Sequence, residues 1–326
     1  MVSLATIRAS NVLLSTHLPS SPTILFIGAT SGISLSILQH ISQYADAPHI
    51  YSVARPPSAP AHQALLSILQ EQHPTSTYTL IEADPTLLSS IPKITSTLTT
   101  HESKLDMLIF SAGHLSFEGR ANTAEGLDPG MALGYYSRLL TLHSLLPLLN
   151  KSPNPRVLSV LAGGMEAPLN ESDLDLREPE NWSVMAAAFQ GATMGTLSLE
   201  HLAQQNPELS IVHWAPGVVD TPSLARARKF GVPAAAAEAM SAEEAGERGL
   251  FYVTSERYSV NDGIVPIEDG VEKATKSAGG IFLVGADGES KDSEAVLAPM
   301  RERGVPTKVW EFTLGIFEET LKLGGD

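Results

Sequence analysis

The stretch Gly28-Ala29-Thr30-Ser31-Gly32-Ile33-Ser34 has the residue types to hold a phosphate. Small residues let the backbone turn sharply and approach a pyrophosphate, which then meets the N–H groups opening the next helix. A tight strand-to-helix turn that binds nothing would use the same glycines. Arg55 is a second candidate, because its planar fork of donors suits a phosphate. The plainer reading is an exposed arginine. Asp84, Ser111-Ala112-Gly113 and Pro216-Gly217-Val218-Val219-Asp220-Thr221 each follow an apolar run.

These residues need strands to carry them, and the chain supplies the pattern. Thr23–Ile27, His49–Ala54, Tyr78–Ala83, Leu105–Ser111, Arg156–Leu161, Leu209–Trp214 and Gly280–Gly285 read as strands. Ser31–Tyr44, Ala59–Gln72, Leu87–Thr100, Leu133–Leu149, Val184–Gln204 and Ala242–Thr254 read as helices, and the Ala-rich Pro233–Ala239 as a short one. Strands separated by helices imply right-handed parallel βαβ units. The expected fold is α/β: a doubly wound, Rossmann-type, mostly parallel sheet of about seven strands with helices on both faces. Residues 1–22 read as an N-terminal extension, a short helix and a Ser/Pro connector, ahead of a single domain over 23–326.

With the elements in place, a resemblance becomes visible. The first turn is similar to the TGxxxGxG of the short-chain dehydrogenase/reductases, with Ile27 for the Thr and Ser34 for the last Gly. Ala54-Arg55 resembles the position where that family pairs an Arg with the 2′-phosphate of NADP, an Asp being the choice for NAD. Ala83-Asp84 resembles its adenine-contacting Asp, Ser111-Ala112-Gly113 its NNAG segment, and Pro216–Thr221 its PGxVxT segment at the nicotinamide. The five matches occur in order over residues 23–222. They imply an NADP(H) site made by Gly28, Thr30, Ser31, Gly32, Ile33, Arg55, Asp84, Ser111, Ala112, Gly113, Pro216, Gly217, Val219 and Thr221. Tyr135–Arg138 and Val160–Gly164 resemble divergent fungal members associated with secondary metabolism.

The family's catalytic pair, a Tyr with a Lys four residues on, has no counterpart. None of the seven tyrosines has such a lysine, and neither residue type occurs between Lys151 and Lys229. Aligned on the family, Gln190 stands for the Tyr, Met194 for the Lys, Ala162 for the Ser and Gly134 for the Asn. A Gln amide forms hydrogen bonds but gives up no proton near neutral pH. Substitutes are sought in His114 and Glu166 at strand ends, and in Tyr135 and Arg138. On an α-helix the last two stand about 100° and 40° from Gly134 and so within reach of the cleft. Each also has a structural reading. His213, Trp214, Met131 and Met194 read as core. The acidic insertion with Glu166, Glu171, Asp173, Asp175 and Glu178 reads as an exposed loop rather than a metal site.

Composition narrows the partners. The formal net charge of -15 argues against nucleic acid and against an anionic membrane surface. Arg226, Arg228 and Lys229 read as a solvated helix end. No cysteine is present, so disulfides and thiolate metal sites are excluded, and no metal is expected. No apolar run is long enough for a signal or a span, and a soluble cytoplasmic protein is expected. The partner is a small molecule, and the oligomeric state, a homo-oligomer included, stays open. Three functions are consistent with this reading. One is an NADP-dependent oxidoreductase on a small, largely apolar carbonyl or alcohol of secondary metabolism. Another is a redox-neutral cyclase, isomerase or dehydratase. The third is a non-enzymatic NADP-binding protein.

Overall fold

The computed structural model describes residues 2–114, 116–117, 119–230, 239–261 and 263–323. Residues 233–238 of the Ala-rich piece expected to be helical lie outside them.

Two short helices, α1 (Leu4–Val12) and α2 (Leu14–His17), precede β1 (Thr23–Ile27). Then come α3 (Gly32–Tyr44), β2 (His49–Ala54), α4 (Ala59–Gln72), β3 (Thr77–Glu82), α5 (Ile91–His101) and β4 (Met107–Phe110). A helical turn α6 (Pro129–Met131) runs through a π-turn (Ala132–Tyr136) into α7 (Ser137–Leu149). β5 (Arg156–Val160), α8 (Val184–Gln205), β6 (Ser210–Trp214), β7 (Val219–Asp220), α9 (Pro222–Lys229), β8 (Met240–Ser241) and α10 (Ala242–Thr254) follow. β9 (Phe282–Val284), α11 (Glu294–Glu302) and α12 (Val305–Leu323) complete the order.

The sheet has seven parallel strands in the order β3-β2-β1-β4-β5-β6-β9. Side chains alternate across it. Leu25, Ile27, Leu108 and Phe110 pack on one face under α5, α7, α8 and α12. Ile24, Phe26, Ile109 and Trp214 pack on the other under α3 and α10. Both faces are covered, which is why β1 and β4 read as unbroken apolar runs. The edge strand β3 is buried only in part. Strand order reverses between β1 and β4, so a crevice opens there at the C-terminal edge.

Three features extend the expected picture. The 1–22 segment lies against α10: Arg8 Nε meets Glu247 Oε1 at 2.8 Å, and Asn11 Nδ2 donates to the Glu247 carbonyl at 2.9 Å. α11 and α12 were not read from the sequence, although the buried Val305, Val309, Thr313, Ile316 and Thr320 keep a helical period along α12. β7 and β8 pair in a small sheet of their own. Among the described residues, no helix is long and apolar enough to cross a membrane.

Candidate active site

The turn after β1 and the loop after β4 are pressed together. Gly28 has φ +103°, and a Cβ there would lie 2.3 Å from the Ala112 nitrogen. The N–H groups of Ser111 and Ala112 both donate to the Ile27 carbonyl, at 2.9 and 3.0 Å. Ser31 caps α3 in extended conformation without a side-chain bond, leaving the opening N–H groups of the helix without a side-chain cap. Thr30 and Ser31 are exposed and Ile33 is buried. Thr221, the N-cap of α9, brings its methyl to 3.1 Å from where a Gly32 Cβ would stand. Gly217 has φ +71°, which turns the chain between Pro216 and the buried Val219. The loops after β1, β4 and β6 thus meet at one edge, and Gly28, Ser111, Ala112 and Thr221 come together there.

Beside them lies a cleft of about 350 Å³ lined by Arg55, Asp84, Thr86, His114, Thr123 and Leu133 among others. Arg55 is exposed at the end of β2 and has no ion-pair partner among the described residues. Asp84 Oδ1 accepts from the N–H and hydroxyl of Thr86 at 3.0 and 2.6 Å, so it fixes its own turn as well as lining the cleft. His114 Nδ1 lies 3.3 Å from Arg226 Nη1. Burial, with Arg226 and Arg55 nearby, lowers the His114 pKa, so the ring is neutral at pH 7. Arg226, Arg228 and Lys229 are exposed on the last turn of α9. Phe230 stacks on Phe117 at 4.9 Å between ring centroids.

The face of α8 where the family's acid is expected is occupied by the chain's own insertion. Gln190 Nε2 donates to the carbonyls of Asn170 and Leu174 at 3.2 and 3.3 Å, and its Oε1 accepts from Asn170 N at 3.0 Å. Thr193 Oγ1 bonds both N–H and carbonyl of Ala167, at 2.9 and 2.8 Å. Thr196 donates to Glu166 Oε1 at 2.6 Å. Residues 166–174 therefore cover Gln190, Thr193 and Thr196, and both amide hydrogens of Gln190 are already donated within the chain. Met194 and Met131 are core.

The insertion is not simply an exposed loop, which corrects the expectation. Asp175 is 2% exposed; it accepts from Tyr136 Oη at 2.9 Å, Arg177 Nε at 2.9 Å and Arg120 Nη2 at 3.3 Å. Asp173 accepts from the N–H groups of Arg177 and Glu178 and from Asn181. These donors use the carboxylate lone pairs that a hard metal would need. Among the described residues no metal-holding group of three or more acids and histidines occurs.

Tyr135 does not reach the cleft, a second correction. It is fully buried, its hydroxyl between Ser198 Oγ (2.8 Å) and Thr313 Oγ1 (2.6 Å), and burial pushes its pKa up to about 12. Arg138 lies buried beneath the cleft and donates to Ser159 and Val160 of β5 and to the Ala112 carbonyl just after β4.

Glu166 anchors a third buried group. Besides Thr196, it accepts from Gly164 N at 3.1 Å and from Ser293 Oγ. Thr196 in turn meets His213 Nδ1 at 2.9 Å, and Ala162 N donates to His213 Nε2 at 3.4 Å. Nε2 accepts, so Nδ1 carries the proton. Burial pushes the His213 imidazole down to about 4, against the opposing pull of Glu166. The unfolded ring, near pH 6.5, takes up a proton first. The contribution to stability is therefore complete above pH 6.5 and is lost as pH falls towards 4. Thermal melts should show wild type losing on the order of 2–3 kcal/mol more than His213→Gln between pH 7 and 4. Parallel pH curves would refute this. Asp175 was read as part of an exposed loop and is buried, while the roles of Thr193 and Thr196 were missed in the sequence, although polar residues three apart along α8 were a visible signal.

No family model matches the chain. It is 50% identical over 99% of its length, and 97% of the relative's, to "NmrA-like family domain-containing oxidoreductase notO" of Aspergillus sp. (strain MF297-2). It is 26% identical, over 99% of the chain and 98% of the relative, to "Short-chain dehydrogenase/reductase SAT2" of Stachybotrys chartarum. Among solved structures, an NADPH-bound carbonyl reductase from chicken fatty liver superposes with a TM-score of 0.56 at 17% identity, covering 83% of this chain and 98% of that one. That likeness shows the fold. With the sheet order and the relatives in agreement, the chain belongs to the short-chain dehydrogenase/reductase family and is an oxidoreductase related to those of filamentous fungi.

Proposed function

We propose that this oxidoreductase uses NADP(H) and acts on a small, largely apolar carbonyl or alcohol in secondary-metabolite formation. The observation that carries the reading is Arg55, exposed at the end of β2 in a cleft shared with Asp84, and without an ion-pair partner among the described residues. Its donor fork fits a 2′-phosphate. The close Gly28–Ala112 approach and the α3 N-terminus fit a pyrophosphate. When bound, a nicotinamide cofactor supplies or accepts the hydride. The residues after β5 and β6 add apolar surface, since Met165, Met185, Val218 and Phe230 are exposed. That surface suits an apolar substrate.

Titration with NADPH and NADH, followed by nicotinamide fluorescence, tests the reading. NADPH is expected to bind well ahead of NADH. Arg55→Ala should weaken NADPH about 10–100-fold, the size of a lost charge-assisted contact, and leave NADH little changed. Equal binding of both cofactors would sink the NADP assignment.

The insertion over Gln190, Thr193 and Thr196 favours a second reading, redox-neutral chemistry, because it leaves no proton donor on that face of α8. Deuterium delivered from labelled NADPH to product separates the two.

A further inference from the structure

Arg138 is 4% exposed and carries a charge that no acid neutralises among the described residues. The π-turn before α7 directs its guanidinium beneath the strand ends. Nε donates to the Leu133 carbonyl at 3.1 Å, inside that turn. Nη1 donates to Ser159 Oγ at 2.8 Å and to the Val160 carbonyl at 3.0 Å, and Nη2 to the Ala112 carbonyl at 2.7 Å. All four acceptors are neutral. The guanidinium also lies 5.9 Å from the Phe110 ring centre.

Burial lowers the Arg138 pKa only to about 9, so the group is charged at neutral pH. Its field is felt nearby, where it helps hold down the His213 pKa. Ser159 and Val160 end β5, and Pro216–Thr221 follow the adjacent β6. This is the side of the crevice to which the reading above assigns the nicotinamide.

An oxidised nicotinamide ring carries a positive charge and a reduced one does not. A fixed cation beneath the site therefore opposes the oxidised form alone. We propose that Arg138 is a built-in charge that makes the site bind NADPH more tightly than NADP⁺. The inference rests on the NADP reading. The adenosine half is common to both forms, so their affinity ratio isolates the ring.

The test is the ratio of the NADP⁺ and NADPH dissociation constants for wild type, Arg138→Lys, Arg138→Met and Ser159→Asp. Wild type and Arg138→Lys are expected to favour NADPH by about tenfold or more. Arg138→Met should lose about tenfold of that ratio, equivalent to about 1.4 kcal/mol. Ser159→Asp keeps the arginine but places a carboxylate against Nη1, and should lose a similar factor. It serves if Arg138→Met does not fold. A wild type without preference overturns the proposal, as does an unchanged ratio in either neutralised variant; the NADP reading survives both. Failure of wild type to bind either form overturns both together.

Discussion

Gly28→Ala should abolish measurable nucleotide binding and lower stability by about 3–5 kcal/mol. The added methyl meets backbone rather than a side chain that could swing away: the Ala112 nitrogen at 2.3 Å and Cα at 2.7 Å. At φ +103° the position is also one that L-residues rarely occupy. Relief requires the loop after β4 to retreat. That movement stretches the Ser111 and Ala112 bonds to Ile27 and the Arg138 bond to Ala112. A buried cation then loses an acceptor, which adds to the cost. The melting temperature should fall by roughly 6–20 °C, at about 2–4 °C per kcal/mol for a large domain. NADPH should bind at least a hundredfold more weakly. A variant that melts and binds like wild type would mean that the two backbones do not cross this closely.

Asp175→Ala should cost about 3–5 kcal/mol, the usual loss when one member of a buried ion pair is removed. Three donors converge on this carboxylate from separate parts of the chain: Tyr136 on the π-turn, Arg120 in the loop after β4, and Arg177 in the insertion. Arg120 keeps its bonds to the Asp175 and Leu176 carbonyls, but its charge is left half-buried and unmatched. Tyr136→Phe removes one hydrogen bond and should cost only about 1 kcal/mol. Since Asp175 ties the insertion down, its loss should also speed tryptic cleavage after Arg177. Melting curves and timed proteolysis measure the two effects. Equal losses for Asp175→Ala and Tyr136→Phe would show that the ion pairs contribute little.

The strands were legible because buried parallel strands leave unbroken apolar runs, as in residues 24–27 and Met107–Phe110. Two helices, Ala59–Gln72 and Ala242–Thr254, have the bounds their spacing indicates. Tyr135 was misjudged for a specific geometric reason. Angles of about 100° per residue assume an α-helix, whereas the chain takes a π-turn over Ala132–Tyr136. The wider turn rotates every later side chain, sending Tyr135 into the core and Arg138 under the strand ends. The cover over α8 was hidden because its contacts join an irregular segment to helix residues about 20–30 positions away. Local periodicity carries no record of such pairs.

The docking of α1 on α10 has a consequence for how the protein is made. Arg8 and Glu247 are 239 positions apart. At about 5–20 residues per second, the ribosome needs roughly 12–48 seconds to synthesise the partner of the first helix. Throughout that interval Ile7 and Leu14, both buried in the finished protein, lack their final cover. The nascent chain therefore presents an apolar handle from early in translation until α10 has emerged. Chaperones would meet it there, and a slow or stalled ribosome would prolong the exposure.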